Sequence, residues 1–415
     1  MTANHPFKHT LLEKDARDPL YSFRARFLLD ESLVYLDGNS LGALPKDTPV
    51  RLAQVAVREW GEGLIRSWNN AGWIDMPQRI GNKIARLIGA NAGEVIVADS
   101  TSVNLFKVLA AALKLNAGRR VILSQRDNFP TDLYMAQGLI GLLGGAHELR
   151  LVDADDIAAA TDENTAAVML THVNYRTGAL HDMAGITQAV HAKGTLVIWD
   201  LAHSAGALPV SLNDANADFA IGCGYKYLNG GPGAPAFVFV ARRHQPNFVQ
   251  PLTGWLGHVN PFAFDATYAP ADGILRALCG TPAVLSMAAL EAGVDLMLEA
   301  DMNSIREKSL QLADDFIALI EQRCGRHGLQ SVTPREHALR GSQVCFAHPQ
   351  AFSLMQALIA QGVIGDFRAP DILRFGFAPL YVRFADVWHA VDVLARVLDE
   401  RLWDQPAFMQ RRKVT

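Results

Sequence analysis

Asp200 closes the apolar run Thr195-Leu196-Val197-Ile198-Trp199, and Lys226 follows a second apolar run through Cys223-Gly224-Tyr225. A carboxylate at the end of a buried strand is costly without a partner. Lys226 reads as the end of another strand, and Gly230-Gly231-Pro232-Gly233 just beyond it lets backbone approach a ligand closely. An amine and an acid so placed suit an aldehyde cofactor built on a pyridine ring. The amine forms an imine with the aldehyde, and the acid keeps the ring nitrogen protonated so that the ring accepts electrons. Taken alone, either residue would serve as well in a structural ion pair.

A second constellation would hold a phosphate. Asp99-Ser100-Thr101-Ser102-Val103-Asn104 follows one strand and opens a helix. Hydroxyls at a helix start commonly cap it, but the same turn presents free N–H groups and a positive dipole end to an anion. Phe129-Pro130-Thr131-Asp132 repeats the arrangement at the next strand-to-helix junction. Neither a P-loop nor a G-x-G-x-x-G dinucleotide fingerprint is present.

These groups need a frame. Short apolar runs at 94–98, 120–124, 148–152, 166–171, 195–200, 219–222 and 236–241 alternate with helical patterns at 101–115, 131–143 and 183–193. The alternation predicts an α/β fold, with a mostly parallel sheet in a large domain and helices on both faces. Ligands of such sheets sit beyond the strand C-termini. After Pro282 long helices at 283–299 and 304–323 precede β-like segments at 330–333 and 342–348 and helices at 350–360 and 384–401. This reads as a smaller α+β domain formed by 1–45 and 296–415, beside a large domain of 46–295.

Composition narrows the function. The 415 residues are 50% hydrophobic with a formal net charge of −4, and the basic residues are scattered, so no nucleic-acid surface is expected. No apolar run is long enough to span a bilayer, and residues 1–20 lack a signal-peptide core, so a cytoplasmic location is expected. Cys223, Cys279, Cys324 and Cys345 are far apart. That spacing suits neither a metal site nor a disulfide framework.

The motifs together carry a family resemblance. Leu36-Asp37-Gly38-Asn39-Ser40-Leu41-Gly42, Phe129-Pro130-Thr131-Asp132, Asp200-Leu201-Ala202-His203 and Tyr225-Lys226-Tyr227-Leu228-Asn229 come in order along the chain. Gly254-Trp255-Leu256-Gly257-His258 and Arg374-Phe375-Gly376-Phe377-Ala378-Pro379-Leu380-Tyr381 follow. The sequence resembles the kynureninases, members of fold type I of the pyridoxal phosphate (PLP) enzymes, across nearly its whole length. The resemblance implies that Lys226 carries PLP as an imine and that Asp200 faces its pyridine nitrogen. It implies that Thr101, Ser102, Phe129, Pro130, Thr131, Asp132, Thr171, His203 and Tyr225 contact the cofactor. Trp255 and Thr281 would reach it from the partner subunit of a homodimer. Some members have Asn at the position of Thr281; either side chain can hydrogen-bond phosphate. Arg374 resembles the arginine that grips the substrate α-carboxylate, a task suited to a planar, always-charged fork. Trp68 and Trp73 are candidates for an aromatic pocket or for the core, and His258 for a ligand-facing or a core role.

The implied activity is hydrolytic Cβ–Cγ cleavage of L-kynurenine, or its 3-hydroxy derivative, in tryptophan catabolism. A cysteine desulfurase or selenocysteine lyase shares this fold and lysine, but needs a reactive cysteine on a mobile loop. Cys345 lies instead in the apolar run Val344-Cys345-Phe346, which reads as a buried strand. A non-catalytic PLP-binding protein is the third reading, disfavoured by the joint presence of Lys226, Asp200 and Tyr225.

Overall fold

The computed structural model describes residues 6–411; the ends of the expected small domain, 1–5 and 412–415, lie outside the described residues. The chain forms two compact units. One comprises Asp47–Tyr175 and His181–Leu298, the other Met1–Lys46, Arg176–Leu180 and Glu299–Thr415.

The larger unit is built on seven strands: β1 (Val95–Val97), β2 (Val121–Gln125), β3 (Glu148–Val152), β4 (Thr165–Thr171), β5 (Leu196–Asp200), β6 (Phe219–Gly222) and β7 (Phe237–Val240). Their order is β1-β7-β6-β5-β4-β2-β3. From β3 through β6 every pairing is parallel, while β7 runs antiparallel to both β6 and β1. All residues of β2, β4, β6 and β7 are buried, which is why they read as unbroken apolar runs rather than alternating ones. The edge strand β3 has no buried residue.

Parallel neighbours need crossovers; helix α3 (Pro130–Leu142) joins β2 to β3 and α4 (Met183–His191) joins β4 to β5, while α2 (Thr101–Leu115) carries the chain from β1 to β2 across the sheet. The crossovers bring the C-terminal ends of β2, β4, β5 and β6 to one edge, so Asp200 and Thr171 sit side by side in register.

Two further helices brace the loop after β6. Between α1 (Met76–Leu87) and α5 (Val284–Leu298), Glu291 on α5 accepts from Arg79 and Lys83, each at 2.9 Å. These two cations hold its carboxyl down at about 2 despite its burial. Gly293 on the same helix lies against the carbonyls of Leu228 and Asn229, where a Cβ would collide.

In the smaller unit, β8 (Gln330–Ser331), β9 (Gln343–Ala347), β10 (Asp366–Arg368) and β11 (Ile372–Gly376) form an antiparallel sheet ordered β8-β9-β11-β10. Helices α6 (Met302–Cys324), α7 (Ala351–Ala360) and α8 (Phe384–Asp399) complete it. β10 and β11 leave no strand pattern in the sequence, because the charged Asp366, Arg368 and Arg374 interrupt it. The start of α8 is capped from the N-terminal segment: Asp15 accepts from the N–H groups of Phe384 (2.8 Å) and Ala385 (2.9 Å).

Gly293→Ala is expected to destabilise the fold by about 1–3 kcal/mol through overpacking. Urea denaturation should show a lower midpoint with an unchanged slope.

Candidate active site

Asp200 ends β5 with its side chain 5% exposed as a residue. Its Oδ1 accepts from the Ala202 N–H at 2.8 Å. Burial pushes its carboxyl up to about 6, against the pull of the Lys226 ammonium and the Ala202 hydrogen bond.

Lys226 does not end a strand, as the sequence suggested; β6 stops at Gly222 and Lys226 opens a turn beyond it. The reason is the antiparallel return of β7, which puts Phe237 opposite Gly222 and forces the chain to reverse within 223–236. The Asn229 N–H donates to the Lys226 carbonyl at 2.9 Å and the Gly230 N–H to the Gly224 carbonyl at 2.9 Å. Asn229 adopts the left-handed region at φ 54°, which Asn tolerates better than most residues. A Cβ on Gly222 would strike the Phe237 ring. The turn fixes where the amine points: Lys226 Nζ lies 3.0 Å from His203 Nε2 and 5.8 Å from the centre of the Tyr225 ring.

Asp132, in the first turn of α3, is 2% exposed, and its Oδ2 has no hydrogen-bond partner among the described residues. Burial, aggravated by the Asp200 charge and eased by Lys226, holds its carboxyl well above the usual range. Two carboxyls and one ammonium therefore share a buried space, with Cys223 beside them; burial pushes its thiol up. Thr171 lines the same strand ends, its hydroxyl donating to Asn128 Oδ1 at 2.7 Å. Asn128 in turn donates to Ser124 Oγ at 3.2 Å. Asn128 escaped the sequence analysis although it directly precedes the Phe129 motif.

The cradle at the start of α2 has the geometry of an anion site. Ser100 caps the helix, its Oγ accepting from the Val103 N–H at 3.3 Å. As the first two helical residues, Thr101 and Ser102 have amides with no carbonyl one turn earlier. Asp99 turns the chain into the helix at φ 47°. Lys107, wholly buried, ties the Asp99 carboxylate to the Ala277 carbonyl. Sequence gave no signal for Lys107, because its partners are set by packing. At the second junction Pro130 and Thr131 open α3, and the Phe129 ring packs edge-on to Tyr175 at 5.3 Å.

Trp255 packs its ring against Trp68 at 6.3 Å, and Trp68 packs against Trp73 at 6.2 Å. Thr281 is exposed just ahead of α5. His258 is buried, its Nδ1 accepting from the Asn260 N–H at 3.0 Å, the environment of a core histidine. In the smaller unit Arg374 is 1% exposed and paired with Asp366.

The donor set fits a phosphorylated pyridine aldehyde. Asp200 and Asp132 are buried carboxyls short of cationic partners, Lys226 is an amine beside a histidine, and Thr101 and Ser102 present a helix start to an anion.

Comparison with known proteins gives the same direction. The Kynureninase C-terminal domain family matches residues 305–394, and the DegT/DnrJ/EryC1/StrS aminotransferase family matches 65–209. A kynureninase of Burkholderia pseudomallei (strain 1106a) is 56% identical over 97% of this chain and 98% of its own length. One from Pseudomonas fluorescens is 54% identical over 98% of this chain and 99% of its own. Among solved structures, the apo cysteine desulfurase of Thermococcus onnurineus NA1 superposes with a TM-score of 0.76 at 17% identity, covering 91% of this chain and 98% of that one. A C-DES variant with glycine covalently linked to its PLP cofactor gives 0.77 at 17% identity, covering 90% and 98%. At such identities these structures show the fold, that of the type I PLP enzymes.

Asp200 binds protons more tightly folded than unfolded, so its ionisation lowers the stability of the cofactor-free protein as pH rises from about 4 through about 6. Asp200→Asn removes that burden. The cofactor-free variant is expected to melt above its parent at pH 7.5, with the gap closing toward pH 4, as scanning calorimetry would measure.

Proposed function

The chain belongs to the kynureninase family, and on that premise we propose how its own residues carry the reaction. The enzyme is a PLP-dependent hydrolase. It cleaves the Cβ–Cγ bond of L-kynurenine, or of 3-hydroxy-L-kynurenine, giving anthranilate or 3-hydroxyanthranilate and L-alanine. The observation that carries the residue assignment is Lys226 Nζ within 3.0 Å of His203 Nε2, beside the buried carboxyls of Asp200 and Asp132.

PLP, when bound, supplies an aldehyde for imine formation and a protonated ring that draws electrons from the substrate α-carbon. Asp200 would hold the ring-nitrogen proton, since a cation there would offset the burial that pushes its carboxyl up to about 6. Thr101 and Ser102 would hold the phosphate at the start of α2, and Phe129, Pro130, Thr131, Asp132, Thr171 and His203 would line the ring. Lys226 would hold the cofactor aldehyde and would serve as the general base that takes the substrate α-proton. Water adds to the aryl ketone, the Cβ–Cγ bond breaks to release anthranilate, and Tyr225 gives the proton to Cβ of the alanyl fragment. Arg374, in the smaller unit, binds the substrate α-carboxylate.

A desulfurase reading fails on its nucleophile. Cys345 is fully buried in β9, and burial pushes its thiol up to about 12, so the thiolate that such chemistry needs is not formed near neutral pH.

The same reading makes the protein a homodimer in which Trp255 and Thr281 complete the partner's site, the exposure of Thr281 being its support. It also makes the protein cytoplasmic. Its four cysteines are all unpaired, and no helix among the described residues is long and apolar enough to cross a membrane.

Borohydride reduction of the holoenzyme should attach the cofactor at Lys226, as peptide mass spectrometry would show. Lys226→Ala should lose that label and release neither anthranilate nor alanine; a retained label would refute the assignment. A mixture of Lys226→Ala and Trp255→Ala chains, dissociated and reassembled, should regain activity that neither variant has alone. In each mixed dimer one site carries both defects and the other carries none.

A further inference from the structure

The segment Leu36-Asp37-Gly38-Asn39-Ser40 takes no part in the chemistry above, yet it wraps the side chain of Arg374. The Gly376 N–H donates to the Leu36 carbonyl at 2.7 Å, and Asp37 bridges to Gly376 in parallel fashion. Gly38 sits against the Tyr381 hydroxyl and Gly376 against the Asn39 side chain; a Cβ at either place would collide. The loop is thereby pinned to the end of β11.

Within this wrap Asp366, the register partner of Arg374 across β10 and β11, grips the guanidinium side-on. Arg374 Nε donates to Oδ1 at 2.8 Å, and Nη2 donates to Oδ2. Ser40 Oγ accepts from Nη2 at 3.0 Å. The Asn39 amide, its oxygen turned toward the arginine, accepts from Nε at 2.9 Å and Nη2 at 3.2 Å. Asp366 Oδ2 also accepts from Arg368 at 2.6 Å and from the Ser40 hydroxyl at 2.7 Å.

Asp37 is the odd member. Its Oδ1 is sealed from solvent and accepts no hydrogen bond among the described residues, while its carboxyl lies within hydrogen-bonding reach of the Asp366 carboxyl and of Ser40. Two carboxyls in such contact cannot both be ionised at low cost; a proton belongs between them. We propose that Asp37 and Asp366 form a proton-sharing carboxyl pair that positions Arg374 and sets the net charge offered to the substrate α-carboxylate.

The charges explain the function of the pair. Arg368 and Arg374 bring two positive charges and Asp366 one negative. With Asp37 protonated the set carries a single positive charge, matching one α-carboxylate. With Asp37 ionised the set is neutral and the attraction weakens. Burial and the Asp366 charge push the Asp37 carboxyl up to about 7, against Ser40 and Arg374, whereas the two guanidiniums hold Asp366 low. The other groups facing Asp37 are Tyr35 from its own segment, Arg368 from β10 and Arg374 from β11. Burial pushes the Tyr35 hydroxyl further up, and arginines stay charged, so neither type titrates near neutrality. Because its folded value is raised, the Asp37 proton is present below pH 7 and is lost as pH rises through it.

The inference rests on Arg374 as the carboxylate ligand, and the test separates the two. KM and kcat for L-kynurenine would be measured from pH 6 to 8.5 on the holoenzyme and on holo Asp37→Asn and Arg374→Lys. In the parent, KM should climb above pH 7 with a slope approaching about tenfold per unit, with no matching limb in kcat. Asp37→Asn, which has no proton to lose, should flatten that limb. The inhibition constant of the decarboxylated substrate amine should not follow the limb, because it lacks the group that Arg374 binds. A parent KM that is flat across this range, or a limb that survives in Asp37→Asn, overturns the proposal. The parent titration and the amine decide the matter even where Asp37→Asn does not fold. An unchanged KM in Arg374→Lys would instead refute the carboxylate assignment itself.

Discussion

The architecture of the larger unit depends on one costly arrangement, a carboxylate buried at the end of β5. Asp200 sits in an environment that pushes its carboxyl up to about 6, and the nearby Lys226 relieves that only in part. Every neighbouring feature serves to keep these charges where a third can join them. The parallel crossovers align Thr171 with Asp200. The antiparallel return of β7 compels the reversal that turns Lys226 inward. The close seat of Gly293 under Leu228 and Asn229 keeps that reversal from relaxing outward. A buried charge without full compensation is unstable by itself and is retained where a ligand supplies what is missing.

The sheet was legible because burial on both faces leaves no alternation to misread. Runs such as Thr165–Thr171 and Phe237–Val240 are buried throughout and can only be central strands. Asp200 was legible for the same reason, as a lone charge ending such a run. Lys226 was recognisable as a residue but misplaced in structure, since nothing local shows that β7 returns antiparallel; that is a property of sheet order. Asn128, Lys107 and Asp366 were invisible because tertiary packing, not a local pattern, chooses their partners. The Lys107 link to Ala277 spans 170 positions, and the Asp366–Arg374 grip follows from register across two strands whose charges hid them.

The two units handle buried acids by the same rule with different results. Burial pushes up both Asp132 and Asp200, the Asp200 charge adds to the burden on Asp132, and Lys226 alone among the charged groups eases them. Beside Asp37, Asp366 is gripped by two guanidiniums and is held low, so the burden falls on Asp37 alone. The first pair is short of a cation. The second already has more cation than anion, and so suits an anionic ligand. The sign of the residual charge, more than the shape of either unit, tells what each can receive.

That distinction explains how one fold serves different reactions. Two cysteine desulfurases share the fold, with TM-scores of 0.76 and 0.75 at 17% and 18% identity. The choice of bond to break must come from groups the fold does not dictate. In this chain Cys345 is locked in β9 as a neutral thiol, directly opposite Arg374 in register. A residue so enclosed can add only bulk and low polarity, and low polarity strengthens the grip of Asp366 on the guanidinium next to it. A position from which a thiolate could not work thus serves to hold an arginine still.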